Sequence, residues 1–515
     1  MASSIKIYRP SVNYNFSCHL RRWASIDPTR EAIRFEANRW SYDDLNKAVN
    51  ETAWFLSNSG IVRGDRVAIL AMNSDEYVIA CLAIARLGAV SVLLNYRLAL
   101  EELRYLIEDC EPVAILLDAD FITVQKNLEN LIVDLRCTCI LYSEDKDVET
   151  LSTLRVSSRG KIFEDVILDG DDLDRIMYTS GTTSRPKGVM LSHGNATWNL
   201  FTQILEGCNS PDERTLIFAP LHHIGAQELP GLRVFGVGGL MVIMRRFDAR
   251  SVLAAIEEHQ ITGMVIVSTM IHIMRDLPDR HNFDTTSLRW LVFGQVPESM
   301  LEEIQLIFPQ AYLKNSYGLT ETCSTVTSID PISQIKNTTS PGRVVPTLEL
   351  DIVDDNDFSV RPREVGEIVV RGPKTMLGYW RQEEATAETM KNGWLHTGDV
   401  GWRDEDGLLF IVDRKKDMIR TGGENVASQE VERVIYGIKW VAEVAVVGIP
   451  DKKWGERIRA IIVPRPGMTG SADEVLLHCS SQLAAFKVPK DIEFREELPR
   501  NPSGKILKAE LRSQI

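Results

Sequence analysis

Nowhere in these 515 residues does an uninterrupted apolar run approach the ~18 that a bilayer-spanning helix needs, so no membrane span is expected. The opening MASSIKIYRPSVNYNF has no basic region followed by an apolar run, so no signal peptide is read there. Internal repeats and low-complexity tracts are missing as well. Cysteine is sparse and scattered, with eight residues at 18, 81, 110, 137, 139, 208, 323 and 479. Only Cys137 and Cys139 are close, and a C-x-C without a second pair or histidines is poor zinc spacing. Reduced thiols in a cytoplasmic protein are the expectation. A surplus of positive charge is also lacking: the net charge of −14 argues against a general nucleic-acid surface or an anionic membrane surface.

What is present is an ordinary globular composition, 44% apolar and 25% charged, in a chain too long for one small core. Several domains or subdomains are therefore expected. The acidity is uneven, because from Asp417 onward 15 Lys+Arg face 14 Asp+Glu. The first ~170 residues alternate helix and strand signals. Helical spacing runs over 43–59, a strand over 66–71, a buried helix over 76–87 and a strand over 89–94. A second α/β unit spans roughly 190–330, with strands at 215–218, 239–244, 263–267 and 290–293 and helices at 249–260 and 298–308. From 340 to 412, short strands punctuated by Gly and Pro predict a small β barrel. The charged knot Asp413-Arg414-Lys415-Lys416-Asp417 precedes a Gly-Gly turn, strands at 443–448 and 458–464 and a helix at 473–485. The expected class is α/β: a large N-terminal domain (1–413) of two wound subdomains and the barrel, a hinge (414–416), and a mobile α+β lid (417–515).

The sharpest local feature is Tyr178-Thr-Ser-Gly-Thr-Thr-Ser-Arg-Pro-Lys-Gly188, set between two strand-like runs. Gly181 and Gly188 let the backbone turn tightly and approach a ligand. The hydroxyls of Thr179, Ser180, Thr182, Thr183 and Ser184, with Lys187, offer many donors to a polyphosphate. It is not a Walker A loop, because the lysine precedes its glycine. Ser184-x-x-Lys187 fits the penicillin-binding pattern, but the companion S-D-N and K-T-G motifs are absent. A Ser/Thr-rich loop without function is the remaining alternative.

Further motifs follow in order: Asn315-Ser-Tyr-Gly-Leu-Thr-Glu-Thr322, Trp394-Leu-His-Thr-Gly-Asp399, the knot, and Asn501-Pro-Ser-Gly-Lys505. Taken singly, each has a plain reading, as a Tyr-Gly turn, a turn-capping aspartate, a surface arginine and an exposed loop lysine. Together with the loop at 178–188, they resemble the adenylate-forming superfamily of acyl-CoA synthetases, peptide-synthetase adenylation domains and beetle luciferases, from about residue 15 to the end.

The resemblance implies roles. Tyr317 would stack on adenine, with Gly294, Asn315, Ser316 and Gly318 around the base. Thr320 would bind the α-phosphate, and Glu321 would hold Mg²⁺. Asp399 and Arg414 would take the ribose hydroxyls. Lys505 would bridge the attacking carboxylate and the α-phosphate, where a preorganised cation stabilises developing charge. Thr183 and Lys187 join it in catalysis, as does His223 of Pro220-Leu-His-His-Ile-Gly225, at the carboxylate end of the acyl site. A satisfied core histidine is the rival reading of His223. Lys416 would be the pivot about which the lid turns, withdrawing Lys505 and bringing in Arg420, Gly422, Gly423, Glu424 and Asn425 as the wall of a pantetheine tunnel.

The implied reaction joins a carboxylate to ATP, giving acyl-AMP and pyrophosphate, and then passes the acyl group to coenzyme A. The loop at 179–188 and Gly422-Gly-Glu-Asn425 together resemble the bacterial acyl-CoA synthetase branch, including medium-chain and carnitine/crotonobetaine-type CoA ligases. Candidate acyl-pocket residues are His223, Gln227, Ser268, Thr269, Val296 and Cys323. The sequence departs from the family at Phe293-Gly-Gln-Val-Pro297, where Gln295 and Val296 would narrow that pocket. A stand-alone enzyme loading a carrier-protein phosphopantetheine is the main rival, and a homodimer is left open. Amino-acid activation is disfavoured, because no aspartate stands in His-His-Ile-Gly. A luciferase-type oxygenase shares these motifs. A non-enzymatic scaffold is disfavoured because Lys187, Glu321, Asp399, Arg414 and Lys505 are all present.

Overall fold

The computed structural model describes residues 12–164, 166–179, 185–207, 210–294, 298–330, 340–500 and 506–513. They gather into two compact units, one of 1–265, 319–325 and 372–386, the other of 266–318, 326–371 and 387–515. No helix among the described residues is long and apolar enough to cross a membrane. No group of three or more potential metal ligands is found among them either.

The first unit carries the wound α/β architecture. Seven strands lie side by side in the order Gly378–Tyr379, Lys187–Ser192, Leu173–Thr179, Val90–Leu93, Arg66–Leu70, Ala114–Leu117 and Cys137–Ile140. The last five are mutually parallel, as helical crossovers require. The helix Asp75–Leu87 shows how local sequence sets this pattern. The Ser74 hydroxyl accepts the Tyr77 N–H at its start, and Gly88, at φ 70°, ends it in the left-handed region. Every residue of that helix is buried, which accounts for its nearly continuous apolar run. A second ladder of this unit runs Asn38–Ser41, Glu31–Phe35, Leu240–Ile243, Arg214–Ile217, Gly263–Ile266.

In the second unit, Trp290–Phe293 runs parallel to Tyr312–Leu319. The barrel expected from 340 to 412 is a five-stranded antiparallel half-barrel of Glu349–Val353, Gly366–Arg371, Trp394–Arg403, Met390–Lys391 and Leu409–Arg414. The C-terminal sheet runs Glu424–Val426, Ile419–Thr421, Gly455–Pro464, Val441–Asp451, with Asp491–Phe494 parallel to Gly455–Pro464. Helices Ser428–Tyr436 and Ala472–Gln482 cover it through Val431, Ile435, Val475 and Cys479. The expected elements exist throughout, with ends displaced by one to three residues. The largest change is at Val441–Asp451, which begins two residues before and ends three past the reading of 443–448, while the next strand begins at Gly455 instead of 458 and the helix read to 485 ends at Gln482.

Beneath the sheet of the first unit lies a buried polar chain. Arg175, 3% exposed, is ion-paired to both Asp174 and Glu228. Asn199 donates to Glu228 Oε2 at 3.1 Å and accepts from Lys374 Nζ at 2.7 Å; Lys374 also donates to the Thr325 carbonyl at 2.7 Å. Burial brings the Lys374 ammonium down to about 8. Removing one member leaves its partners charged, buried and unpaired. Arg175→Ala is therefore expected to lower the unfolding free energy by about 3–5 kcal/mol. Arg363→Ala, at an exposed pair with Glu405, should leave it unchanged in the same urea titration.

Candidate active site

The phosphate-loop motif closes an antiparallel hairpin. Tyr178 pairs with Gly188 and Thr179 with Lys187, so the lysine is the first residue the sheet holds after the loop. Ser180, Gly181, Thr182, Thr183 and Ser184 lie outside the described residues. The foot of the loop is braced on its C-terminal side, where Arg185 lies over the Tyr105 ring at 5.3 Å and Tyr105 donates to the Pro186 carbonyl at 3.3 Å. Gly188 is required by packing, since a Cβ there would stand 2.9 Å from Ile176 and 3.2 Å from the Tyr178 ring.

Lys187 Nζ sits 4.8 Å from the centre of the Tyr379 ring, and the Tyr379 hydroxyl donates to Glu321 Oε1 at 3.0 Å. One aromatic side chain thus links Lys187 to the Glu321 carboxylate. Its strand pairs with Lys187–Ser192, and the Met376 N–H bonds the Glu321 carbonyl at 2.8 Å, so the grouping is fixed by backbone as well. Sequence reasoning missed Tyr379. The only signal for it was the Gly-Tyr-Trp run, which reads as an ordinary turn. Glu321 is a single half-buried carboxylate with Oε2 outside the Tyr379 bond, which suits Mg²⁺, a cation that takes one or two carboxylates and completes its shell with phosphate oxygens and water. Thr320 stands beside it on the same short 3₁₀ turn.

Asn315, Ser316, Tyr317 and Gly318 lie on the strand Tyr312–Leu319. Tyr317 donates to Asp399 Oδ2 at 2.7 Å, and Arg414 Nε meets Asp399 Oδ1 at 2.8 Å. Asp399 and Arg414 face each other across an antiparallel pair, so their meeting is set by register. Burial, then the Asp399 carboxylate, push the Tyr317 phenol far up, so it stays a donor. Asn315 donates to the Ser340 carbonyl at 3.2 Å, while its buried Oδ1 has no partner among the described residues. An unpaired acceptor beside an aromatic ring and a carboxylate suits a purine amino group and a ribose. Gly294 follows the neighbouring strand, whose Phe293 is in register with Asn315. A Cβ at Gly294 would meet nothing within 4 Å.

His223 is half-buried, and its ring lies 4.3 Å from that of the buried His222. Burial, then Arg97, bring His223 down to about 4, and burial takes His222 well below the ordinary range. Both are neutral at pH 7. Neither ring nitrogen of His222 has a partner among the described residues, so that residue is not a satisfied core histidine. The segment continues as the helix Ile224–Ala226 and a π turn, Gln227–Gly231. Such turns recur at functional sites. Gln227 is buried, and Cys323, also buried, lies in the field of Glu228, Arg175 and Lys374. Val296 lies outside the described residues, as do the side chains of Ser268 and Thr269.

The knot is anchored on both sides of its centre. Lys415 bonds Glu367 at 3.0 Å, Asp413 accepts the Ser428 N–H at 2.6 Å, and Asp417 holds Arg512 at 2.6 Å. Lys416 between them is exposed. The following loop is tighter than its sequence suggests. Thr421 pairs with Glu424, leaving Gly422 and Gly423, at φ 62° and 87°, as a two-residue hairpin turn. Gly422, Gly423, Glu424, Asn425 and Arg420 are exposed. Lys505 lies outside the described residues.

Two outcomes follow from this geometry. Tyr379→Phe removes one bond to a carboxylate, so KM for Mg-ATP should rise about 10-fold, and Tyr379→Leu, which also strips the ring from Lys187, should cost more in steady-state assays. The folded state holds His223 neutral below its unfolded value of 6.5. The stability this contributes is fully present above pH 6.5 and lost as pH falls toward 4, and His223→Gln should flatten that part of a melting-temperature profile.

Residues 20–380 match the AMP-binding enzyme family, and 430–505 match the AMP-binding enzyme C-terminal domain. The chain is 35% identical to the indoleacetate–CoA ligase of Aromatoleum aromaticum, over 96% of this chain and 97% of that one. It is also 35% identical to a feruloyl-CoA synthase of Amycolatopsis sp., over 96% and 98%. Among solved structures, the o-succinylbenzoate CoA synthetase of Bacillus subtilis, in complex with its acyl-adenylate intermediate, superposes with a TM-score of 0.87 at 31% identity, covering 96% and 98% of the two chains. ATP-bound MatB from Rhodopseudomonas palustris gives 0.89 at 29% identity, covering 97% and 98%. The hairpin, the shared aspartate and a match spanning most of the sequence agree, and the chain belongs to the AMP-binding enzyme family.

Proposed function

We propose that this chain is an ATP-dependent, AMP-forming carboxylate–CoA ligase of the cytoplasm. The observation that carries the reading is the buried Asp399 carboxylate shared by Tyr317 and Arg414, with Tyr317 four residues ahead of Glu321 on one segment. In the first half-reaction an oxygen of the acid attacks the α-phosphorus of ATP, forming an acyl–phosphate anhydride as pyrophosphate leaves. In the second, the thiol sulfur of coenzyme A attacks the acyl carbon, the bond to the phosphate oxygen breaks and AMP leaves. The relatives described above carry the names of CoA ligases and synthases, which favours coenzyme A over a carrier-protein thiol.

The chain's residues act by position and charge. Tyr317 offers its ring to adenine, Asn315 Oδ1 accepts from the base, and Asp399 accepts from the ribose. Thr320 donates toward the α-phosphate and Lys187 toward the outer phosphates, with the hydroxyls of the loop. Glu321 would hold Mg²⁺, which when bound neutralises phosphate oxygens. Neutral His223 orients the acid by donating an N–H without adding charge. Lys505 supplies the cation between acid and α-phosphate. The division into 1–413, a 414–416 hinge and a 417–515 lid belongs to the same proposal. It is supported by the exposed Lys416 between anchored neighbours and by the exposed Gly422–Gly423 turn.

Lys505→Ala is expected to reduce ATP–pyrophosphate exchange by about 10²–10³-fold. Lys416→Pro should spare that exchange and cripple thioester formation from the same acid. Exchange and thioester yield, measured side by side with coenzyme A and a carrier protein as acceptors, check both; equal loss of the two activities in Lys416→Pro would remove the hinge.

A further inference from the structure

Beside Gln227 of the π turn lies a small, partly open cavity with room for about one water-sized group. Phe16, Leu82, Ala85 and Leu232 form its apolar side, and Ser91 and Gln227 its polar one, with Asp174 and Arg175 at the wall. Gln227 is 2% exposed, and its Oε1 has no partner among the described residues. The Gln227 N–H bonds the His223 carbonyl at 3.0 Å. His223 is the extended residue that precedes the helix, and this bond sets Gln227 at the end of the first turn after it. His223 marks the carboxylate end of the acyl site, so Gln227 lies one turn farther along it.

Resting on the ligase reading, we propose that this cavity is the distal end of the acyl site and takes the terminal hydroxyl or N–H of an otherwise apolar acid. A buried amide oxygen without a donor is unfavourable, and a hydrocarbon terminus leaves it that way. A hydroxyl or N–H of the right reach satisfies it. A second carboxylate does not suit the place. Arg175, the cation at the wall, is already divided between Asp174 and Glu228, and an incoming anion would face the Asp174 carboxylate. The size of the cavity admits one such group and no larger head. Gln227 is accordingly a specificity-determining residue whose amide reads the end of the acyl group.

The test uses pyrophosphate release by the full chain with Mg-ATP. The acids are matched pairs of graded length, aryl and alkyl, each with and without a terminal hydroxyl or N–H, plus the corresponding dicarboxylates. At the fitting length the donor-bearing acid should exceed its unsubstituted partner by about 10–100-fold in kcat/KM. Dicarboxylates should do no better than the unsubstituted acids. Gln227→Met, similar in volume but without the amide, should collapse that ratio toward one, while an ATP-induced rise in melting temperature reports that the variant is folded. A wild-type ratio of one or below at every length overturns the proposal, as does a ratio that persists in Gln227→Met. Release with hydrocarbon acids alone defeats only the subsite. Release with no acid of any class defeats the ligase reading and the subsite with it.

Discussion

The Asp399 carboxylate is the contact on which the arrangement of the second unit's central strands depends. It is 4% exposed and receives the Tyr317 hydroxyl on one oxygen and the Arg414 guanidinium on the other. Each of the three comes from a different strand, so one buried anion ties the strand Tyr312–Leu319 to two strands of the half-barrel. Such an anion is tolerated only when its oxygens are bonded. In the proposed function the same demand for partners makes the group suited to accept ribose hydroxyls. Arg414 is also the residue at which the half-barrel strand ends within the charged knot, so in the proposed function the nucleotide site and the hinge would share a side chain.

In the first unit the organising element is aromatic. Tyr379 faces Lys187 with its ring and Glu321 with its hydroxyl, holding a cation and an anion at fixed places without letting them neutralise each other by direct contact. The proposed reaction uses both signs, the lysine toward the phosphates and the carboxylate toward their counter-ion. Below them, Arg175, Asp174, Glu228, Asn199 and Lys374 fasten the hairpin strand, the following helix and the π turn to one another. Buried charge of this kind is a poor source of stability but a good means of fixing a single arrangement.

Much of this was legible before any coordinates. Hairpin, aspartate, knot and Gly-Gly turn are short motifs that read plainly one by one and carry the family resemblance only in their joint order, and strand and helix periodicities placed the elements around them. Tyr379 was not legible, because its partners lie 192 and 58 positions away in the chain and a Tyr in a Gly-Tyr-Trp run carries no local mark. Arg175 and Glu228 were not legible for a related reason: a charged residue inside a strand or a turn reads as surface unless its partner is known. His222 was passed over in favour of His223, although it is the more deeply buried of the two. Sequence order cannot tell which of two adjacent rings turns inward.

Asp413 carries one last consequence. Its carboxylate accepts both the N–H and the hydroxyl of Ser428, the first residue of the helix Ser428–Tyr436, and Lys508 donates to that same hydroxyl at 2.6 Å. The half-barrel therefore supplies the cap for a helix beyond the charged knot, whose own preceding residue, Ala427, has no side chain able to do so. In the proposed alternation this cap is surrendered whenever the C-terminal domain turns, and the Ser428 amide passes from a shielded bond to water. On that proposal this single proton reports the position of the C-terminal domain, readable by isotope exchange at Ser428 alone.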